Sequence, residues 1–472
     1  MKSKEKTSRA FALDALRGIA IIGMILSGSI PHGGLLPNWM YHAQVPPPNH
    51  IFNPNLPGIT WVDLVFPFFL FAMGAAFPLA LNGKLEKGIV KWKLSLHSIQ
   101  RGLLLAVFAI YIQHIKPWSI NSNPTTLTWI ISIVGFLLLF PMLLRLSDSY
   151  SNSFKRIVKI GGYVGGILIL VIFELINEKG FSLYRSDIII LVLANVAVFG
   201  SIIWLYTKDN LLLRLGILGI ILALRLSHSA DGSFTQIIWD FSPFPWLYKL
   251  YYMQYLFIVI PGTVIGDLIH KWKKESKSEY SQNTIYKPYI SVLLLFGFIV
   301  VNLYGLFTRS VNVTLILNVI LVLSGLQLFK GSTTATDKLY NSLFKWGVYW
   351  LILGFFFEAF EGGIKKDHPT LSYYFVTAGL AIYCYMFFSI IIDYLGKGKF
   401  VNSIIENGQN PMIAYIAGHT LITPVLALTN LNSLLNYLAI NPLLGFLKGV
   451  IFTSFVIMFT SYCTKRKLFW RT

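Results

Sequence analysis

Apolar positions run along this chain in long unbroken stretches, and polar residues gather between them. A helix needs roughly 20 apolar residues to cross a bilayer. Fourteen stretches approach or exceed that length: 12–30, 59–81, 97–115, 126–145, 156–176, 186–206, 210–227, 247–270, 288–307, 312–329, 339–360, 372–394, 410–428 and 443–463. A membrane barrel would show short alternating segments instead. The pattern therefore predicts an all-α polytopic membrane protein, a bundle of about 12–14 transmembrane helices with residues 1–472 in a single domain. The weakest stretches are 210–227, which is short and holds Arg214 and Arg225, and 410–428, which begins at Asn410-Pro411. If 186–206 and 210–227 do not both cross, twelve spans remain. The first stretch carries Asp14 and Arg17 and lacks a small-residue cleavage site, so it reads as a span and not as a signal peptide.

Composition agrees. The chain is 55% hydrophobic and 12% charged, where a soluble protein carries about 25% charged residues. These values exclude a soluble enzyme, a disordered chain and a disulfide scaffold. The net charge of +19 would suggest nucleic acid in a soluble protein. Here 28 of the 39 basic residues fall on one side, in the N-terminal tail, in or beside every second connection and in the C-terminal tail, while the opposite connections are nearly bare. Cytoplasmic loops collect Lys and Arg in this way. Both termini are expected to be cytoplasmic, and no nucleic-acid partner is expected. Cys384 and Cys463 lie in or at the end of apolar runs and form no metal or redox motif.

The chemistry is expected in the first external connection, residues 31–58, PHGGLLPNWMYHAQVPPPNHIFNPNLPG. It has no acidic residue, Lys or Arg, but holds three histidines (His32, His42, His50) and seven prolines. Proline restricts the backbone, long ordered loops are often functional, and histidine is suited to acid–base work near neutral pH. The plainer reading is a proline-packed cap whose histidines are hydrogen-bonded within it. The histidine spacing matches no compact metal motif, so no metal is expected. Asp63 stands in the first turn of the next span, either as a functional intramembrane acid or as a carboxylate favoured by the helix N-terminus. At the cytoplasmic side Asp14 and Arg17 share a helical face. They form either an internal ion pair or, with Arg101, an anion site suited to phosphate. Glu358 and Glu361 fall near the external end of their span, where they could face the same vestibule as His42, and NPMIAYIAGH, from Asn410 to His419, is polar enough to wall a cavity.

These stretches together resemble one family. LDALRGIAIIGMIL, WMYHA and GITWVDLVFPFFLFAMG, followed near the other end by HPTLSYYFVTAGL, NGQNPMIAYIAGH and KRKLFWR, resemble the membrane domain of heparan-α-glucosaminide N-acetyltransferase and its bacterial relatives, a transmembrane acyltransferase family. The blocks lie in both end thirds in the same order. The centre, about 126–246, has no matching block, and the large lumenal N-terminal domain of the lysosomal enzyme has no counterpart.

The resemblance implies transfer of acetyl from cytoplasmic acetyl-CoA to an amino sugar of glucosamine type on the external side. By motif it implies His42 as base or acetyl carrier and Asp63 as its carboxylate. Arg17, Arg101 and Asp14 are expected at the acetyl-CoA end, and Ser27, Trp61, Glu358, Asn410 and His419 at the acceptor end. A family asparagine falls near Ser27 here, and the loop carries an added PPPNH-type insertion that bears on the acceptor. The expected partners are an amino-sugar or glycan acceptor, the lipid bilayer and a second copy of the chain in a homodimer. The expected location is a bacterial cytoplasmic (inner) membrane. Two alternatives stand beside this reading: O-acetylation of a cell-envelope glycan, and a secondary transporter for sugars or organic anions.

Overall fold

The computed structural model describes residues 10–147, 149–177, 180–275, 287–331 and 334–471. The basic tail before Ala10 and most of the lysine-rich connection 271–287 lie outside the described residues. Among the described residues there is no strand, only an isolated bridge that pairs Leu144 with Trp470. Fourteen long helices follow in chain order: α1 (Phe11–Ser27), α2 (Trp61–Glu86), α3 (Lys91–His114), α4 (Thr126–Leu143), α5 (Asn152–Ile176), α6 (Ile188–Thr207), α7 (Leu211–Ser227), α8 (Leu256–Glu275), α9 (Lys287–Phe307), α10 (Val311–Leu328), α11 (Ala335–Phe356), α12 (Leu371–Tyr394), α13 (Pro411–Leu428) and α14 (Pro442–Lys465). Eleven are long and apolar enough to cross a membrane. The other three are α1 and α7, with 17 residues each, and α11, with 22. The architecture is that of an all-α polytopic membrane protein.

Sequence explains which helices are central. Helix α12 is apolar on every side, and 89% of its most apolar window is buried, against 17% for α10 and 22% for α5. A helix that is apolar all round belongs in a core or in lipid, and contacts sort α12 into the first class and α5 into the second. Large apolar side chains stand exposed along α5, among them Ile157, Val164, Ile167, Leu168 and Leu175. A soluble surface does not carry so much contiguous hydrocarbon.

Small residues bring the central helices together. Gly74 of α2 lies on the backbone of Val259, and Gly262 and Gly266 of α8 lie on Phe71 and Ala75, so α2 and α8 run side by side in the same direction. Helix α1 crosses the short helix Asn402–Gln409 even more closely. A methyl group on Gly18 would overlap the Ile404 carbonyl, and one on Gly408 would overlap the Asp14 carbonyl.

Helix α7 carries two buried arginines, and each is paired at a different level of the bundle. Arg214 donates to Asp267 (2.6 Å) near the end of α8. Arg225 donates to Glu361 (2.6 Å) and to the Pro369 carbonyl (2.8 Å) just before α12 begins. The pairing satisfies two charges that hydrocarbon would not tolerate alone. Helix α14 starts against Ile30, Pro31 and Leu35 and ends where Lys465 reaches Glu406 (3.7 Å) beside α1. The described chain therefore begins and ends at the same end of the bundle.

Candidate active site

His42 stands between two aspartates. Its Nε2 lies 2.9 Å from Asp367 Oδ2, and its Nδ1 lies 3.2 Å from Asp63 Oδ1. The loop that holds it is tied down along its length. The Tyr41 hydroxyl donates to the Pro31 carbonyl (2.6 Å), Thr60 Oγ1 donates to the Tyr41 carbonyl (2.7 Å), and the Asn53 amide donates to the Gln44 carbonyl (2.8 Å). Gln44 is fully buried and touches both partners. Its amide N–H points at His42 Nδ1 (3.1 Å), and its side-chain oxygen accepts from the Asp367 amide (3.1 Å).

Asp63 has two roles at once. It is the third residue of α2, and its Oδ2 accepts from the Thr60 amide (2.9 Å) and the Ala43 amide (3.3 Å). That is a capping box closing the helix N-terminus. Its Oδ1 is buried with no hydrogen-bond partner in the structure and faces His42, with the Lys366 ammonium 3.7 Å away. The Tyr373 hydroxyl donates to the Asp63 carbonyl (2.8 Å) and ties α12 to the same turn. Burial alone would raise the Asp367 carboxyl. The His42 hydrogen bond and the charge of Lys366 outweigh it and hold the group below the usual carboxylate range.

A neutral imidazole has one proton and can serve one carboxylate. A doubly protonated ring can serve both. The two carboxylates hold the ring from both sides and fix its orientation, by the logic of a base held by a carboxylate. The other two loop histidines are elsewhere. His32 and His50 pack edge to face (centroids 4.9 Å apart), and the Gly33 amide donates to His50 Nε2 (3.0 Å).

At the opposite end of the bundle is a cavity of about 700 Å³. Arg101, Arg145, Lys155, Arg156, Lys159 and Arg471 line it, and among the described residues of its wall none is acidic. Arg101 is the sequence-predicted member. Arg17 is not in its wall: it reaches Asp14 (3.4 Å) and the Gly408 carbonyl (3.3 Å).

The remaining predicted residues are dispersed. Ser27 donates to the Met24 carbonyl (2.9 Å). Trp61 packs on the cluster of Ile30, Leu36, Met40 and Tyr41. Glu358 is buried in an ion pair with Arg309, and Glu361 holds Arg225. Asn410 is buried and donates to the Leu468 carbonyl (2.7 Å), fastening the C-terminal segment. His419 lines a separate cavity of about 200 Å³. Among the described residues no group of three or more His, Cys, Asp or Glu is arranged to hold a metal ion.

Sequence reading missed Asp367, Gln44 and most of the basic cavity. Asp367 had a signal: it is the one acid in the segment KKDHPT, directly before the quoted HPTLSYY block. The cavity lysines had been absorbed into the topology argument.

Among curated proteins none matches the chain. A family match covers residues 9–269, which takes in His42, Asp63 and all of the basic cavity except Arg471, and stops before Asp367 and His419. The chain belongs to that family, described as a domain of unknown function, DUF5009.

Proposed function

We propose that the protein is a membrane acetyltransferase that takes acetyl from cytoplasmic acetyl-CoA and delivers it to an amino sugar on the external face. The observation that carries this reading is His42 held between Asp63 and Asp367, an imidazole oriented from both sides. The basic cavity at the other end supports it. Six cations suit the phosphates of a coenzyme A molecule, with Arg101, Arg145, Lys155, Arg156, Lys159 and Arg471 as the residues that would hold them. In this reading all fourteen long helices cross, the basic end with both termini is cytoplasmic, the membrane is a bacterial inner membrane, and the His42 end is external.

His42 takes the proton from the acceptor amine as the amine attacks the thioester carbonyl. The new C–N bond forms as the C–S bond breaks, and the departing thiolate takes up a proton. Asp63 keeps the ring oriented from Nδ1. Asp367 occupies the Nε2 side, where the acceptor must approach, and its side chain is 47% exposed. The acceptor amine displaces the Asp367 carboxylate from Nε2.

The test is transfer of labelled acetyl from acetyl-CoA to glucosamine by the purified protein in liposomes, beside an N-acetylated sugar and a hydroxyl-only glycan. The reading expects labelled N-acetylglucosamine and loss of transfer in His42→Ala. Full transfer by His42→Ala removes the residue assignment, and labelling of the hydroxyl-only glycan alone would replace the amine acceptor with a hydroxyl.

A further inference from the structure

A second polar chamber lies within the bundle, apart from His42 and from the basic cavity. It measures about 200 Å³, room for several waters, and Ser29, Lys116, Tyr415, His419, Thr420 and Phe452 contribute to its wall. Intramembrane ionisable groups are costly and mark function by default. This chamber has one within a span, His419, and another just past the end of α3, Lys116, and neither is fully used.

Lys116 donates to Gln113 Oε1 (2.8 Å) and to Asp187 Oδ2 (3.0 Å), which leaves one of its three N–H groups. Asp187 stands behind Lys116 and is itself saturated. It takes the Tyr415 hydroxyl (2.9 and 3.0 Å) and the Ile190 amide (3.2 Å), and it caps the positive N-terminus of α6. The chamber wall thus shows a cation and hydroxyls, and no carboxylate. His419 faces the same space and makes no hydrogen bond among the described residues. It sits on a π-helical turn, Gly418–Ile422, that interrupts α13. Such turns recur at functional sites.

An apolar slot of about 30 Å³ adjoins the chamber and shares Met24, Ile189 and Tyr415 with it. Phe66, Phe69 and Met412 close the slot. A polar head with acceptor oxygens and a tail of only one or two methylenes matches this pair of spaces. We propose that the chamber binds a short-chain monocarboxylate, with its oxygens on Lys116 and His419 and its alkyl end in the slot. This stands apart from the proposed acetyl transfer.

The test is the unfolding midpoint of the full-length protein in detergent, read by tryptophan fluorescence, with acetate, propionate, butyrate, octanoate and butylammonium as probes. Propionate and butyrate should raise the midpoint with concentration, acetate less, and octanoate and butylammonium not at all. His419→Leu should weaken butyrate about tenfold or more. Met412→Phe, which fills the slot, should abolish the preference of butyrate over acetate while acetate still binds. Arg101→Gln with Lys159→Gln should leave butyrate binding unchanged. Equal effects of butyrate and butylammonium overturn the proposal. So does stabilisation by octanoate, loss of butyrate binding in the Arg101/Lys159 variant, or the absence of any carboxylate effect. If His419→Leu does not fold, the ligand series on the unaltered protein decides.

Discussion

Asp367 Oδ2 and His42 Nε2 meet at 2.9 Å although 325 positions separate the two residues in sequence. The contact joins the loop before α2 to the loop before α12, and Gln44 clamps both partners. A third buried residue thus reinforces a pairing that spans most of the chain.

Removing either carboxylate should affect acetyl transfer differently. His42→Gln should lower kcat by about 10²–10⁴-fold, the usual worth of a general base. Asp63→Asn should lower kcat and also destabilise the protein, because it replaces the charged acceptor at the α2 N-terminus with a weaker, neutral one. Asp367→Asn should change KM more than Asp63→Asn does, since Asp367 stands where the acceptor enters. Steady-state kinetics on the three variants checks the order.

The depressed Asp367 carboxyl carries a pH signature. A carboxylate whose folded pKa is below its unfolded value adds stability above the unfolded pKa, about 3.9 for Asp, and loses it as pH falls through the folded value. The gap in unfolding midpoint between the unaltered protein and Asp367→Asn should therefore be constant from about pH 5 upward and shrink below about pH 4. Melts across pH 3–7 measure it.

The basic cavity should show itself through salt. Arg101→Gln with Lys159→Gln should raise the Kd for acetyl-CoA by about tenfold or more, since each lost charge contact is worth roughly 1 kcal/mol near a surface. The loss should narrow as ionic strength rises. Isothermal titration at two salt concentrations checks both, and an unchanged Kd would remove the cavity from the donor site.

Helix α7 offers a stability test. Arg225→Leu should cost about 1–3 kcal/mol because it leaves Glu361, partly exposed and still held by the Leu371 amide, without its cation. Arg225→Leu with Glu361→Leu should cost less than the single change. Denaturant unfolding in mixed micelles measures the difference, and a double variant worse than the single one would show that the pair does more than neutralise itself.

Sidedness can be read with single cysteines. In a Cys384→Ala, Cys463→Ala background, a cysteine in place of Asn55 should react with a membrane-impermeant maleimide from outside the cell, and one in place of Lys155 should react only after permeabilisation. The reverse labelling would invert the proposed orientation.

The helices themselves were legible in the sequence because each is an apolar run of membrane length. All fourteen predicted stretches correspond to helices. Even the weak 210–227 stretch is one, and its arginines find acids on α8 and in the loop before α12. His42 and Asp63 were legible because a histidine in a chargeless loop and an acid in an apolar run both stand out. Asp367 was not, since hydrogen-bond partners 325 positions apart leave no periodic signal. Trp61 and Asn410 were marked for chemistry, yet the structure places Trp61 in a packed cluster and Asn410 on the Leu468 carbonyl. Residue type alone does not separate a polar group that fastens the chain from one that meets a ligand. The lysines and arginines of the cavity illustrate the same limit, because a charge that reports topology can also line a site.

The backbone-to-backbone seam of Gly18 and Gly408 gives the molecule a mechanical hub. One side of the seam is α1, whose far end leads into the His42 loop. The other side continues through Asn410 into α13, which carries His419. With no side chains between them to yield, any residue larger than glycine at either position would have to part α1 from the segment that leads into α13.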